Sequence, residues 1–147
     1  MPGSSDIYDL TQSDTLLQIL FSSTMSHIDD ACAAVTLFLE SKGPRFSPHL
    51  FAVNLVMREG LTNAVRHGNK SDPHKRVAFI LDIGRKDIIG LRIEDQGKGF
   101  NWQSTKKALL DEKADHGRGM PIMTTYFDRC EYNLQGNILY LEKKIGA

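Results

Sequence analysis

Apolar residues recur along the chain in two rhythms. In "TLLQILFSS" (residues 15–23) they follow no helical stripe, so the run reads as a strand. Leu17, Ile19 and Phe21 fall on one of its faces, Leu16 and Leu20 on the other. A strand that is apolar on both faces needs a second covering surface, and another copy of the chain, in a homodimer, is the expected one. Ahead of it, residues 1–13 are polar and read as a loosely held tail. Next, "HIDDACAAVTLFLESKG" spaces Ile28, Cys32, Val35 and Leu39 at helical intervals and stops at Gly43-Pro44. A second helix is expected from Ser47-Pro48, where serine can cap and proline suits the first turn. Leu50, Val53, Met57, Leu61 and Ala64 form its apolar stripe, and Gly68-Asn69 ends it.

The rhythm then changes to a period of two. In "RVAFILDIGRKDIIGLRIEDQGKGF", Val77, Phe79, Leu81 and Ile83 alternate, as do Ile89, Leu91, Ile93 and Asp95, so two antiparallel strands joined by "GRKD" are expected. Residues 101–116 are polar and read as a loop with a short helix over 105–112. "GRGMPIMTTYF" opens another helix with Pro121 in its first turn, and "CEYNLQGNILYLEKK" closes the chain as a hairpin around residues 135–137. The order is strand, two helices, two strands, helix, two strands. It predicts a single domain over residues 1–147, an α/β (α+β) two-layer sandwich with helices covering one face of a mixed, mostly antiparallel sheet.

Composition narrows the function classes. Lysine plus arginine balances aspartate plus glutamate at 18 each, which leaves no general electrostatic footprint for duplex nucleic acid or an anionic membrane. No segment approaches the roughly 20 apolar residues that cross a bilayer, and the N-terminus lacks a signal peptide's basic start and apolar run. A cytoplasmic setting is expected. Cys32 and Cys130 sit within apolar patterns and read as small core residues, with a buried disulfide the alternative; no Cys/His spacing suggests zinc.

Three polar islands break the apolar patterns. In "REGLTNAVRHGN", Glu59 and Asn63 are four positions apart and share one helix edge. An asparagine oxygen suits magnesium, which takes one or two protein oxygens plus substrate phosphates, while Arg66 and His67 can donate to phosphate. A carboxylate one turn away could activate an attacking hydroxyl. In "EDQGKGF", Asp95 continues the inward face of its strand, and a buried carboxylate needs a donor such as a purine amine. Gly97 and Gly99 let the backbone turn sharply beside a flat ring or phosphate. In "HGRGMP", glycines flank Arg118 ahead of a helix, an arrangement that gathers amides and a positive charge around an anion. Each island alone has an ordinary alternative: a solvated helix edge, an aspartate capping its own turn, a loop-to-helix junction.

In this order, on these elements, the three islands resemble the gyrase/histidine-kinase/MutL ATPase superfamily and its Bergerat ATP-binding fold. "EGLTNAVRHG" is similar to its N box, "DQGKGF" to its first glycine box and "HGRGM" to its second. Within the superfamily the chain resembles the bacterial anti-sigma factor serine/threonine kinases. It shares their Glu four residues before the Asn, their bare single domain, their short lid and their N-terminal strand and helix.

The resemblance implies ATP and Mg²⁺ as ligands. Asn63 then matches the magnesium ligand and Glu59 the proposed catalytic base. Asp95 matches the reader of the adenine amine, and Gly97 and Gly99 the turn beneath the nucleotide. His116, Gly117, Arg118, Gly119 and Met120 match the lid hinge and phosphate contacts, with Arg66 and His67 near the phosphates. The implied activity is a protein serine/threonine kinase whose substrate is a STAS-type anti-anti-sigma protein and whose other partner is a sigma factor. The alternatives are an ATP-binding regulatory module without phosphoryl transfer and a detached histidine-kinase catalytic domain. No phosphoacceptor hairpin precedes residue 47, and 147 residues leave no room for the transducer domain of gyrase- or MutL-type enzymes. No P-loop sequence GxxxxGK[ST] occurs.

Overall fold

The computed structural model describes residues 6–98 and 120–146. Among these, β1 (Tyr8–Gln12), β2 (Leu16–Ser22), β3 (Arg76–Asp82), β4 (Ile88–Glu94), β5 (Arg129–Tyr132) and β6 (Ile138–Lys144) form one sheet in the order β1-β2-β3-β4-β6-β5. Every neighbouring pair is antiparallel, so the mostly antiparallel expectation becomes an entirely antiparallel ladder. The helices α1 (Met25–Ser41), α2 (Leu50–Asn63) and α3 (Met120–Tyr126) supply the second layer. The architecture is α+β, as the pattern of elements predicts.

The period of two decides what is buried. Leu17, Ile19 and Phe21 of β2, Val77, Phe79 and Leu81 of β3, Ile89, Leu91 and Ile93 of β4, and Leu139 and Leu141 of β6 meet the helices and are at most 3% exposed. From α1 come Ile28, Ala31, Cys32, Val35, Phe38 and Leu39; from α2 come Val53, Val56, Met57 and Leu61. A fully buried side chain of this kind contributes about 1.5–3 kcal/mol. On the outer side, Asn54 donates to the Thr36 hydroxyl at 2.9 Å and Arg58 pairs with Asp29 at 2.7 Å, tying α2 to α1.

Two expectations are corrected. Residues 8–12 are not a loose tail but edge strand β1, held by its ladder to β2, by the Ile7 amide donating to the Ser22 hydroxyl at 2.9 Å, and by Asp6 against His27 Nε2 at 2.7 Å. The second helix also starts later than Ser47-Pro48. A 3₁₀ turn, Pro44–His49, comes first, and α2 begins at Leu50 with His49 at its cap position and no side-chain cap. Proline has no amide to donate, and two of them four residues apart favour the tighter turn over an immediate α-helix. Cys32 and Cys130 are both free thiols, not a disulfide.

Candidate functional site

Glu59 and Asn63 lie on the last turns of α2, where the helix packs tightly against the sheet. Gly60 makes that approach possible. A Cβ there would stand 2.6 Å from Ile93 Cδ1 of β4 and 3.2 Å from Leu139 Cδ2 of β6. Met123 of α3 closes the same spot from the side, fully buried. Asn63 is accordingly buried at 5% exposure, while Glu59 is half-buried. An amide sunk into the protein beside a carboxylate that still meets solvent is a coherent pair for holding a ligand and acting on it.

Directly after Asn63 the helix widens. Ala64–Gly68 is a π-helical turn, closed by the Asn69 amide donating to the Ala64 carbonyl five residues back at 2.8 Å. Such widened turns concentrate at functional sites because they re-aim side chains without breaking the helix. Here the turn carries Arg66 and His67 to the exposed surface and brings Gly68 against the end of β4.

Asp95 continues the inward parity of Ile89, Leu91 and Ile93 and is 5% exposed, as the alternation predicts. Its backbone amide donates to the Asn137 carbonyl at 3.0 Å, and its Oδ1 accepts the Gly97 amide at 2.8 Å. The carboxylate lies directly against the helix end, since a Cβ on Gly68 would fall 2.2 Å from Asp95 Oδ2. Gly97 is equally confined, because a Cβ there would lie 2.0 Å from the Gly68 carbonyl oxygen. The two glycines interlock backbone to backbone, a contact no side chain permits. The helix end bearing Glu59 and Asn63 and the turn bearing Asp95 and Gly97 thus form one rigid junction. Gly99, His116, Gly117, Arg118 and Gly119 lie outside the described residues, as does the short helix expected over 105–112; Met120 opens α3.

Three residues of the junction have roles that the motif reading does not assign: Gly68, Asn69 and Gln96. Asn69 is completely buried. Its Oδ1 accepts the Gln96 amide at 2.7 Å, and its Nδ2 donates to the Ser23 hydroxyl at 2.7 Å and to the Arg76 carbonyl at 2.9 Å. In turn, the Gln96 side-chain oxygen accepts the Arg76 amide at 2.6 Å. "HGN" at a helix end reads as a stop; only the fold shows that its asparagine is a bridge.

On the opposite face of the sheet, which no described helix covers, a separate concavity is lined by Asp82, Arg85, Arg92, Arg129, Tyr140 and Glu142. It contains none of the motif residues. Arg85 and Arg129 donate to the same Glu142 oxygen at 2.9 and 3.0 Å. Partial burial pushes the Glu142 carboxyl up, but these two hydrogen bonds and charges outweigh it and hold the group below its ordinary value. Burial drives the Cys130 thiol up to about 12 and raises Cys32 as well, so both stay protonated as packing residues.

The family model of the histidine kinase-like ATPase domain matches residues 21–143, most of the chain, and spans both halves of this junction. The chain belongs to that family. Binding of ATP is the family's shared property, and the junction of buried Asn63, buried Asp95 and interlocked glycines fits it. Among relatives, this ATPase domain is 27% identical over 136 residues to an anti-sigma F factor of Priestia megaterium, covering 88% of this chain and 92% of that protein. It is 28% identical over 137 residues to an anti-sigma F factor of Geobacillus thermodenitrificans, with the same coverage of 88% and 92%. An anti-sigma F factor of Clostridium perfringens is 26% identical over 138 residues, 91% of this chain and 92% of its own. The described residues contain no helix long and apolar enough to cross a membrane.

Proposed function

We propose that this ATPase domain is an ATP-dependent protein serine/threonine kinase that acts as an anti-sigma, partner-switching regulator and phosphorylates a STAS-type anti-anti-sigma protein. The observation that carries the reading is half-buried Glu59 one helical turn from buried Asn63, on a helix end locked against Asp95. The names of the relatives above support the anti-sigma role.

Asn63 would hold magnesium through its amide oxygen, together with phosphate oxygens of ATP. Magnesium, when bound, would neutralise charge on those phosphates. Asp95 accepts the adenine amine and sets the base. Glu59 orients the substrate hydroxyl and takes its proton as the oxygen attacks the γ-phosphorus. A new P–O bond forms, the bond to the β-phosphate bridge breaks, and ADP leaves with that electron pair. Arg66 and His67, exposed on the π turn, approach the phosphates, and Arg118 adds positive charge to the transferring group.

The face of the sheet opposite the described helices supports a homodimer. Leu20 is 37% exposed there, and Leu16 lies half-buried in the same strand. Beside them Ile80 and Ala78 continue the apolar surface on β3, directly paired with Gln18 and Leu20. The test of the function is direct: incubate the protein with magnesium, γ-labelled ATP and candidate STAS-domain proteins, then map the label. Label on one serine or threonine of a STAS protein is the expected result. Tight magnesium-ATP binding with no label on any of them would leave a binding module that regulates without transfer.

A further inference from the structure

Asn69 lies one residue beyond the N-box motif, and the motif reading gives it no role. Its amide uses all of its described hydrogen bonds to join three separate pieces of chain: Ser23 after β2, Arg76 at the start of β3, and Gln96 in the turn after β4. The next two residues are held in the left-handed region, Lys70 at φ 52° and Ser71 at φ 57°. Neither is glycine, so the conformation costs energy that its surroundings must offset. The Ser71 amide donating to the Val65 carbonyl at 2.7 Å and the buried Asn69 side chain offset it. Such an arrangement holds the helix end and turn 95–97 in one fixed relation.

From this network we infer that Asn69 is a positioning residue for base recognition. Resting on the reading of Asp95 as the adenine reader, the inference gives Asn69 the task of fixing the turn from which Asp95 presents its carboxylate. The Gln96 amide is the peptide unit immediately after Asp95. Anchoring it to Asn69 Oδ1 leaves the carboxylate little freedom to retreat from a purine amine or to rotate away from a purine carbonyl. Asn69 touches neither base nor phosphate in this scheme; it acts through Gln96.

A positional role and a merely structural one separate on base discrimination. A carboxylate at Asp95 accepts the amine of ATP and repels the carbonyl oxygen that replaces it in ITP. Affinities for magnesium-ATP and magnesium-ITP should be measured by calorimetry on folded wild type, Asn69→Ala, Ser23→Ala and Asp95→Asn. A lost buried hydrogen bond is worth about a factor of ten, so Asn69→Ala should cut the ATP-over-ITP ratio about tenfold, mostly through weaker ATP binding. Ser23→Ala removes one of the two acceptors of the Asn69 amide and should lower the ratio a few-fold; it decides the matter if Asn69→Ala does not fold. An unchanged ratio in folded Asn69→Ala, or in Ser23→Ala when that variant decides, overturns the inference. If Asp95→Asn also leaves the ratio unchanged, the base-reading role of Asp95 falls first. If Asp95→Asn collapses the ratio while the Asn69 variant keeps it, only the role of Asn69 is lost.

Discussion

Asp95 is buried with one carboxylate oxygen accepting the Gly97 amide and the other against Gly68, so a purine amine would meet a carboxylate that is already aimed. A hydrogen bond to a charged group is worth about 1.5–3 kcal/mol, or roughly 10–100-fold in affinity. Asp95→Asn should therefore weaken ATP binding by that factor while the protein stays folded, and calorimetry beside a thermal melt checks both. Gly97 offers a steric counterpart. A methyl group there would drive into the Gly68 carbonyl, a backbone atom that cannot swing aside. Gly97→Ala should cost about 1–3 kcal/mol of stability as the turn is pushed out, and should lower ATP affinity at least tenfold. Denaturant unfolding and ATP titration of the same preparation measure the two effects. Unchanged ATP affinity would mean that the close packing of the two glycines does not set the pocket.

At the scale of elements, the strands and helices that bury one face were legible from period alone. The stripe Ile28, Cys32, Val35, Leu39 gives α1, and the alternations of β3 and β4 place Asp95 on the inner face. What stayed illegible depends on contacts between distant parts of the chain. β1 has five residues with a single aliphatic among them, Leu10, itself 37% exposed at the sheet edge; such a strand exists because β2 offers it a ladder. The 3₁₀ turn before α2 reflects two prolines competing with a serine cap, and local preference cannot rank them. The π turn ends where Gly68 meets Asp95, 27 residues on, and the role of Asn69 rests on Arg76 close by and on residues 23 and 96 far away in sequence. Of the candidate site, Glu59, Asn63, Asp95 and Gly97 were visible because each breaks an apolar pattern. The residues that hold them in place were not, because they look like helix and turn endings.

For the whole molecule, the described helices cover one side of the sheet, and the other side divides into two regions. Toward β2 and β3 it carries Leu16, Leu20, Ala78 and Ile80; toward β5 and β6 it carries the pairs of Arg85 and Arg129 with Glu142. If a second copy covers the apolar region, Leu16→Lys together with Leu20→Lys should yield a folded monomer by sedimentation, and a wild type already monomeric at high concentration would remove the idea. The charged region makes a prediction in pH. Because the folded-state pKa of Glu142 is lowered, its contribution is present above the ordinary carboxyl value of 4.5 and is lost as pH falls through the folded value. Glu142→Gln should lower stability at neutral pH by about 1 kcal/mol and flatten the decline on the acid side. Equal losses at neutral and acid pH would show that the carboxylate charge contributes nothing.

The central claim is that the helix edge of Glu59 and Asn63 performs phosphoryl transfer and does not merely hold a nucleotide. General-base assistance is typically worth about 10²–10⁴-fold in rate. Glu59→Gln keeps size and helix propensity and removes the charge, whereas Asn63→Ala removes the proposed magnesium ligand. Single-turnover transfer from magnesium-ATP to the protein substrate should be measured beside equilibrium nucleotide binding for both variants. The expected result is that Glu59→Gln binds magnesium-ATP like the wild type but transfers phosphate at least a hundredfold more slowly, while Asn63→Ala loses magnesium-dependent affinity and transfer together. Transfer by Glu59→Gln at the wild-type rate would contradict the claim.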